Sequence, residues 1–158
     1  MIRVQQEDFD IGAEIAALKG TRTDIGAIVT FTGTVRRHNG EVAGEVTAMT
    51  LEHYPGMTEK QLEAIEAEAR KRWKLDASLI VHRHGRLEPG EQIVLVVTAS
   101  SHRQAALEAC AFLIDWLKTK APFWKLEEGA EGAHWVEARA SDDEAAERWQ
   151  AGPPEAAD

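Results

Sequence analysis

Between residues 102 and 119 the side chains Ala106, Leu107, Cys110, Leu113, Ile114 and Leu117 recur at the three-and-four spacing of one buried helix face. A helix with a single apolar face must cover something, so the rest of the chain has to supply a surface of matching size. Pro122 fixes where the helix stops, because its ring pushes Ala121 out of helical geometry. Three lysines therefore gather around one helix end: Lys118 and Lys120 in the last turn, and Lys125 just past the aromatic turn Phe123-Trp124. Lysines there favour the helix dipole, and the aromatic pair can seal a core. Three cations without an anionic partner also repel one another, so the segment as a whole reads as a site for an anion.

Upstream lie the candidate surfaces. Residues 10 to 18 form a short helix ended by Gly20 and Thr21. Gly26 to Gly33 reads as a strand, followed by eleven residues of loop or hairpin excursion containing Asn39-Gly40 and Gly44. Glu45 to Glu52 is a second strand. Pro55-Gly56 turns the chain into a helix from about Thr58 to Trp73, with Thr58 and Gln61 at capping-box spacing, Met57 stapled on Leu62, and Leu62, Ile65, Ala69 and Trp73 as the buried stripe. Ser78 to His84 and Gln92 to Ala99 are strands joined around Glu88-Pro89-Gly90. After the lysine-bearing helix, Phe123 to Glu127 and His134 to Glu137 pair across Gly129 to Gly132, and Asp142 to Trp149 forms a helical turn or two. This order predicts an α+β fold, with helices covering one face of a mainly antiparallel sheet. One domain, 1–149, accounts for it, and 150–158 reads as a disordered acidic tail.

The 158 residues carry a formal net charge of −9, which argues against a general nucleic-acid binder. An RNA-binding module would need a stacking surface, and Trp73 and Trp116 fall in helices instead. The basic residues cluster locally: Arg36-Arg37-His38, His82-Arg83-His84, His102-Arg103, and Lys118 to Lys125. Basic islands on an acidic protein suit a small anion or an acidic peptide end. No apolar run reaches the ~20 residues of a membrane span and no leader is evident, so no membrane association is expected and cytoplasm is the default. Cys110, the one cysteine, permits no internal disulfide and reads as a core residue.

Several chemistries compete for these residues. Ser100-Ser101-His102-Arg103 stands where a strand gives way to a helix, and a serine cap there leaves first-turn N–H groups able to hold a phosphate or carboxylate. Arg36 and Arg37 follow a strand end, where a loop would close them over an anion. His82 and His84 at i and i+2 would begin a zinc site, but a second cysteine and an H-E-x-x-H motif are both missing, so no metal is expected. Neither serine before His102 lies in a G-x-S-x-G elbow, and no Gly-rich phosphate loop opens a helix. A lysine crowded by cations serves as nucleophile, proton shuttle or electrostatic clamp. Lys118 is the best placed, with Lys120, Lys125 and Arg103 as candidate neighbours. A noncatalytic adaptor binding an acidic C-terminal peptide in the same groove fits the same residues.

Longer motifs narrow this. Val29-Thr-Phe-Thr-Gly33 with Val35-Arg36, Leu51-Glu-His-Tyr-Pro-Gly-Met-Thr-Glu-Lys60, Val81-His-Arg83 with Gly85, Ser101-His-Arg103, Leu117-Lys-Thr-Lys-Ala-Pro-Phe-Trp-Lys125 and Trp135-Val-Glu-Ala-Arg139 appear in one order over residues 4 to 149. In these the chain resembles the large, catalytic subunits of molybdopterin synthase. The resemblance implies an α/β hammerhead with an added two-layer α+β portion. It implies a sulfurtransferase, without a resident cofactor, that builds the dithiolene of molybdopterin on cyclic pyranopterin monophosphate. The sulfur would come from the C-terminal Gly-Gly thiocarboxylate of a small ubiquitin-like partner, within a 2:2 heterotetramer containing a homodimer of this chain. By the same resemblance Lys118 and Lys125 are the catalytic lysines, and Phe31, Arg36, His102, Arg103 and Arg139 line the pterin and phosphate side. The chain departs from the family's pattern in the loop His38 to Gly44 and at His84, where an aliphatic residue is usual; neither receives a role.

Overall fold

The computed structural model describes residues 1–38, 44–150 and 152. Its elements run β1 (Ile2–Gln5), α1 (Ile11–Lys19), β2 (Ala27–Thr34), β3 (Val46–His53), α2 (Met57–Arg72), β4 (Ala77–Arg83), β5 (Gly85–Leu87), β6 (Gln92–Ser100), α3 (Arg103–Lys120), β7 (Phe123–Gly129), β8 (Gly132–Val136) and α4 (Ala140–Glu147). Two four-stranded sheets result, ordered β1-β4-β6-β2 and β5-β3-β7-β8. Every pairing is antiparallel except β1 with β4. The mixed, antiparallel-dominated α+β expectation holds. The tail from 150 and the excursion after His38 fall largely outside the described residues.

Alternation along the central strands divides the first sheet between two cores. Ile80, Val94 and Val96 face Phe112, Leu113 and Leu117 of α3 and Leu62, Ile65 and Ala69 of α2. Leu79, Val81, Leu95 and Val97 face the other way, toward Phe9 and the partly buried Ile11 and Leu18. Helix α1 therefore packs on the face opposite α2 and α3, which departs from the expectation of one covered face. A third cluster, Val35, Met49, Leu51 and Leu87 with Ile93 against it, lies where the two sheets meet.

Local readings differ from the structure in several places. The strand expected as Ser78 to His84 is β4, in the first sheet, but the short β5 that follows it, in the second sheet, was not expected. Gly85, at φ +91°, makes the crossing, a conformation that strains any residue with a Cβ. Helix α2 starts earlier than the Thr58–Gln61 spacing suggested: Gly56 N–H donates to Glu59 Oε2 at 2.7 Å. Thr58 is buried instead, accepting from Tyr54 N–H and donating to Pro122 O at 3.1 Å, so it ties α2 to the turn after α3. Met57 is 52% exposed and staples nothing. β1 was unread in the sequence.

Candidate functional site

A cleft of about 270 Å³ opens where both sheets meet the C-terminal end of α3. Each wall has a local cause. On β2, Phe31 and Gly33 face it, and a Cβ on Gly33 would come within 2.9 Å of Val94 Cγ1, so only glycine leaves this wall open. Arg36 follows β2 and is held by its neighbours: buried Val35 donates to Glu91 O at 2.9 Å, and Val46 N–H donates to Arg37 O at 2.7 Å. Leu117 anchors the last turn of α3 in the core, which sets Lys118 at the cleft. Ala121 is extended (φ −83°, ψ 131°), as the following proline demands. The chain then enters β7, whose alternate residues Phe123, Lys125 and Glu127 face inward. Arg139, the residue before α4, completes the rim.

Of the seven residues singled out by resemblance, the structure brings together Phe31, Arg36, Lys118, Lys125 and Arg139. It does not bring in His102 and Arg103. These stand at the start of α3, fifteen residues before Lys118 and hence about 22 Å away along the helix. His102 takes the N-cap position without a side-chain acceptor, so the expected serine cap is absent; Ser100 Oγ instead accepts from His102 N–H at 3.3 Å and donates to Lys74 O. Lys120 also points elsewhere, its Nζ 4.5 Å from the centre of the Trp116 ring.

The electrostatics are concentrated. Arg36, Lys118, Lys125 and Arg139 share the cleft with the carboxylates of Glu127 and Glu137. Lys125 is reached by solvent, but the surrounding walls strip much of its water. This desolvation, with Lys118 and then Arg139 adding like charge, pushes its ammonium below the ordinary lysine value, while Asp142 and Glu127 oppose the shift. Lys118 Nζ lies 3.8 Å from Asp142 Oδ1. His82 forms part of the floor, stacked on Phe123 with ring centroids 3.7 Å apart. Burial lowers its pKa to about 4, so the ring is neutral. Its Nδ1 lies 2.8 Å from Arg83 O, and since a carbonyl only accepts, Nδ1 carries the proton.

His84 leaves this surface and packs on His53 at 4.2 Å. The two-histidine beginning of a zinc site is thus not assembled, and the described residues contain no group of three or more His, Cys, Asp or Glu able to hold a metal. Cys110 is buried, and burial raises its thiol to about 11, which suits a core residue. Sequence reasoning missed Glu127 and Asp142. Glu127 was visible in principle, two residues from Lys125 on one strand. Nothing local marked Asp142, which meets Lys118 only through the packing of α4 on α3.

The model of the MoaE protein family matches residues 4–120. A molybdopterin synthase catalytic subunit from Pseudomonas aeruginosa is 58% identical over 149 residues, covering 94% of this chain and 98% of that protein. One from Mesorhizobium japonicum is 53% identical over 152 residues, covering 94% and 92%. Among solved structures, the molybdopterin biosynthesis MoaE protein from Burkholderia ambifaria superposes with a TM-score of 0.81 at 53% identity, covering 95% of this chain and 97% of the other. Molybdopterin synthase from Staphylococcus aureus does so with 0.78 at 29% identity, covering 85% and 96%. With the family model spanning well over half its length and relatives matched nearly end to end, this chain belongs to the MoaE protein family.

Proposed function

We propose that this chain is the catalytic subunit of a molybdopterin synthase and that the cleft is its reaction site. It takes sulfur from the C-terminal thiocarboxylate of a small ubiquitin-like partner and delivers it to cyclic pyranopterin monophosphate, forming the dithiolene. The observation carrying this reading is the convergence of Arg36, Lys118, Lys125 and Arg139, from four separate segments, on one cleft in a chain of net charge −9. Both ligands are anionic, and a concave cationic site inside an acidic protein favours them over other partners. Cys110 is buried and held as a thiol, so the sulfur has to arrive on a carrier.

Lys118 stabilises the terminal acyl group of the partner and assists proton transfer as the thiocarboxylate sulfur forms a C–S bond to a side-chain carbon of the precursor. The C–O bond at that carbon breaks, and its oxygen leaves with a proton or on the phosphate. Water then cleaves the acyl–sulfur bond, returning the partner's terminus as a carboxylate and leaving the sulfur on the pterin, and a second thiocarboxylated partner supplies the second sulfur. Lys125, held partly out of water beside it, is a second cation for the acyl oxygen or the substrate. Arg36 and Arg139 hold phosphate and pterin against the Phe31 side. Neutral His82 offers an unprotonated Nε2 beneath them without adding charge. Residues 1–149 form the working unit, and its compartment is the cytoplasm; no helix among the described residues is long and apolar enough to cross a membrane.

His102 and Arg103 fit this reading only as a contribution from a second copy of the chain, because about 22 Å of helix separates them from Lys118 within one copy. A homodimer that presents the α3 N-terminus of one subunit to the cleft of the other reconciles the two. The test is turnover of cyclic pyranopterin monophosphate with thiocarboxylated partner, first by the wild-type chain and then by a heterodimer pairing a Lys118→Ala copy with an Arg103→Ala copy. Such a heterodimer keeps one intact composite site of two, so about half the wild-type rate is expected, far above either parent. A heterodimer no faster than its parents would place Arg103 in its own chain's site or outside catalysis. Tight partner binding by the wild-type chain without any dithiolene product would make the protein a noncatalytic adaptor.

A further inference from the structure

Helix α4 lies antiparallel along the last turns of α3 and is fastened at its far end. Arg148 Nη2 and Trp149 Nε1 both donate to Asp115 Oδ2, at 2.6 and 2.7 Å. Trp149 O accepts from Arg72 of α2 at 2.5 Å, and its ring packs edge-on against Trp73 and Phe112. Asp115 and Lys118 are three apart on α3 and so share one face. The same packing that seats Trp149 at Asp115 therefore brings the first turn of α4 to Lys118, with Asp142 Oδ1 3.8 Å from Nζ. Arg139, three residues before Asp142, accepts its N–H at 3.0 Å through the backbone carbonyl and lines the cleft.

From this placement we infer that Asp142 is a positioning residue for the cleft: a fixed counter-charge, braced through α4, that holds the Lys118 ammonium at the cleft mouth and balances the crowded cations around it. The inference rests on the reading of this cleft as the reaction site. The crowding is real in number and kind. Lys125 shares the cleft and its mouth with Lys118 from α3, Arg139 and Asp142 from the α4 end, Arg36 from beyond β2, His82 from β4, Glu127 from its own strand and Glu137 from the segment after β8. A lysine 44% exposed, on a stem of four methylenes, has many rotamers open to it. An anion at a fixed point selects among them before the substrate arrives, which is what a site relying on positioned charge requires. Asp142 also opposes the downward push on Lys125, so it acts on both lysines at once.

A half-exposed pair of this kind adds little to stability, so Asp142→Asn is expected to fold. Asp143→Asn is the control: Asp143 shares the first turn of α4 and its favourable helix-end position, but it is exposed, and it is Asp142 that pairs with Lys118. Two readouts apply, turnover by the chain with its partner and labelling of the chain alone. The first is kcat against pH. Asp142→Asn should lower kcat about tenfold, less than the ~10²-fold of removing a positioned donor outright because the Lys118 cation itself remains, with KM for the partner unchanged or smaller. Its alkaline limb should move to lower pH, because a cation losing a neighbouring anion gives up its proton more easily. Asp142→Glu should restore much of both, and Asp143→Asn should leave both at wild type. The second readout is the pH dependence of amine acylation at Lys125, followed by peptide mass spectrometry on the chain alone. Its midpoint should fall in Asp142→Asn only. An unmoved labelling midpoint together with an unmoved alkaline limb would overturn the inference. If the wild-type chain labels as expected but never turns over precursor, the functional reading fails while the coupling of Asp142 to the lysines stands.

Discussion

Replacing Lys118 with alanine tests its proposed role in the chemistry separately from folding. The ion pair to Asp142 spans 3.8 Å between side chains 44% and 29% exposed. A pair so open to water contributes at most about 1 kcal/mol. Loss of a cation from the last turn of α3 costs a few tenths more, and the higher helix propensity of alanine offsets part of this. For a chain of this size ~1 kcal/mol lowers the melting temperature by roughly 2–4 °C. With a typical total stability of about 5–15 kcal/mol, well over 99% of the variant stays folded. Removing a positioned acid-base or oxyanion donor instead costs about 10²-fold or more in rate, equivalent to ~2.7 kcal/mol of barrier. Folding and chemistry thus make distinct demands on one variant. Dithiolene formation from the cyclic precursor, measured at saturating thiocarboxylated partner beside a thermal melt and a partner titration, should show the rate falling at least ~10²-fold while melting moves only a few degrees and docking persists. Near-normal turnover would refute the role of Lys118. A collapse of the melt would refute the structural argument that its ion pair is marginal.

The other two predictions concern pH. Because burial and the Lys118 charge push the Lys125 ammonium below its ordinary value of 10.5, a rate that needs this cation should decline on the alkaline side earlier than an ordinary lysine would allow. Lys125→Arg stays charged throughout, so its alkaline limb should extend to higher pH even if its maximum rate is lower; an unchanged limb would assign it to another group. His82 carries a stability signature: its folded pKa is about 4 against 6.5 for a free ring, so as pH falls through this window the unfolded chain takes up the proton first. Stability should therefore drop between pH 6.5 and about 4, by ~3 kcal/mol in all from this group, and level off below. His82→Gln should flatten that part of a denaturation-against-pH series, and an equally steep variant would mean that His82 is not held neutral in the fold.

What the sequence disclosed follows from how local each cause is. Helix α3 and its end were legible because apolar spacing and Pro122 act within a few residues, and Ala121 took the extended geometry that a following proline imposes. β1 was not legible: its four residues are all half-buried, with no alternation, and their partner is β4, some eighty residues away in a parallel register. Thr58 was misread for a related reason. Its capping-box spacing to Gln61 is a local signal, whereas its actual bonds to Tyr54 and Pro122 O depend on where α3 ends. The crossing at Gly85 was hidden because only His84 separates β4 from the three-residue β5, too short to show an alternation of its own, and only the positive φ reveals the break.

The cleft follows the same rule one level up. Lys118, Pro122 and Lys125 are near neighbours in the chain, so their grouping was visible from spacing alone. Adding Phe31, Arg36 and Arg139 required either resemblance or tertiary structure, since two further segments, β2 with its exit and the start of α4, carry them. Asp142 is set by the packing of α4 on α3, which no local spacing announces. His102 and Arg103 lie one step further, because one copy of the fold holds them a helix-length from the lysines. A long helix with cations at both ends cannot gather them in one chain, yet a twofold pair of such helices can bring the start of each to the end of the other. If His102 and Arg103 do serve the pterin phosphate, the site is a property of the dimer, and each subunit alone should bind its partner's tail far better than it binds substrate.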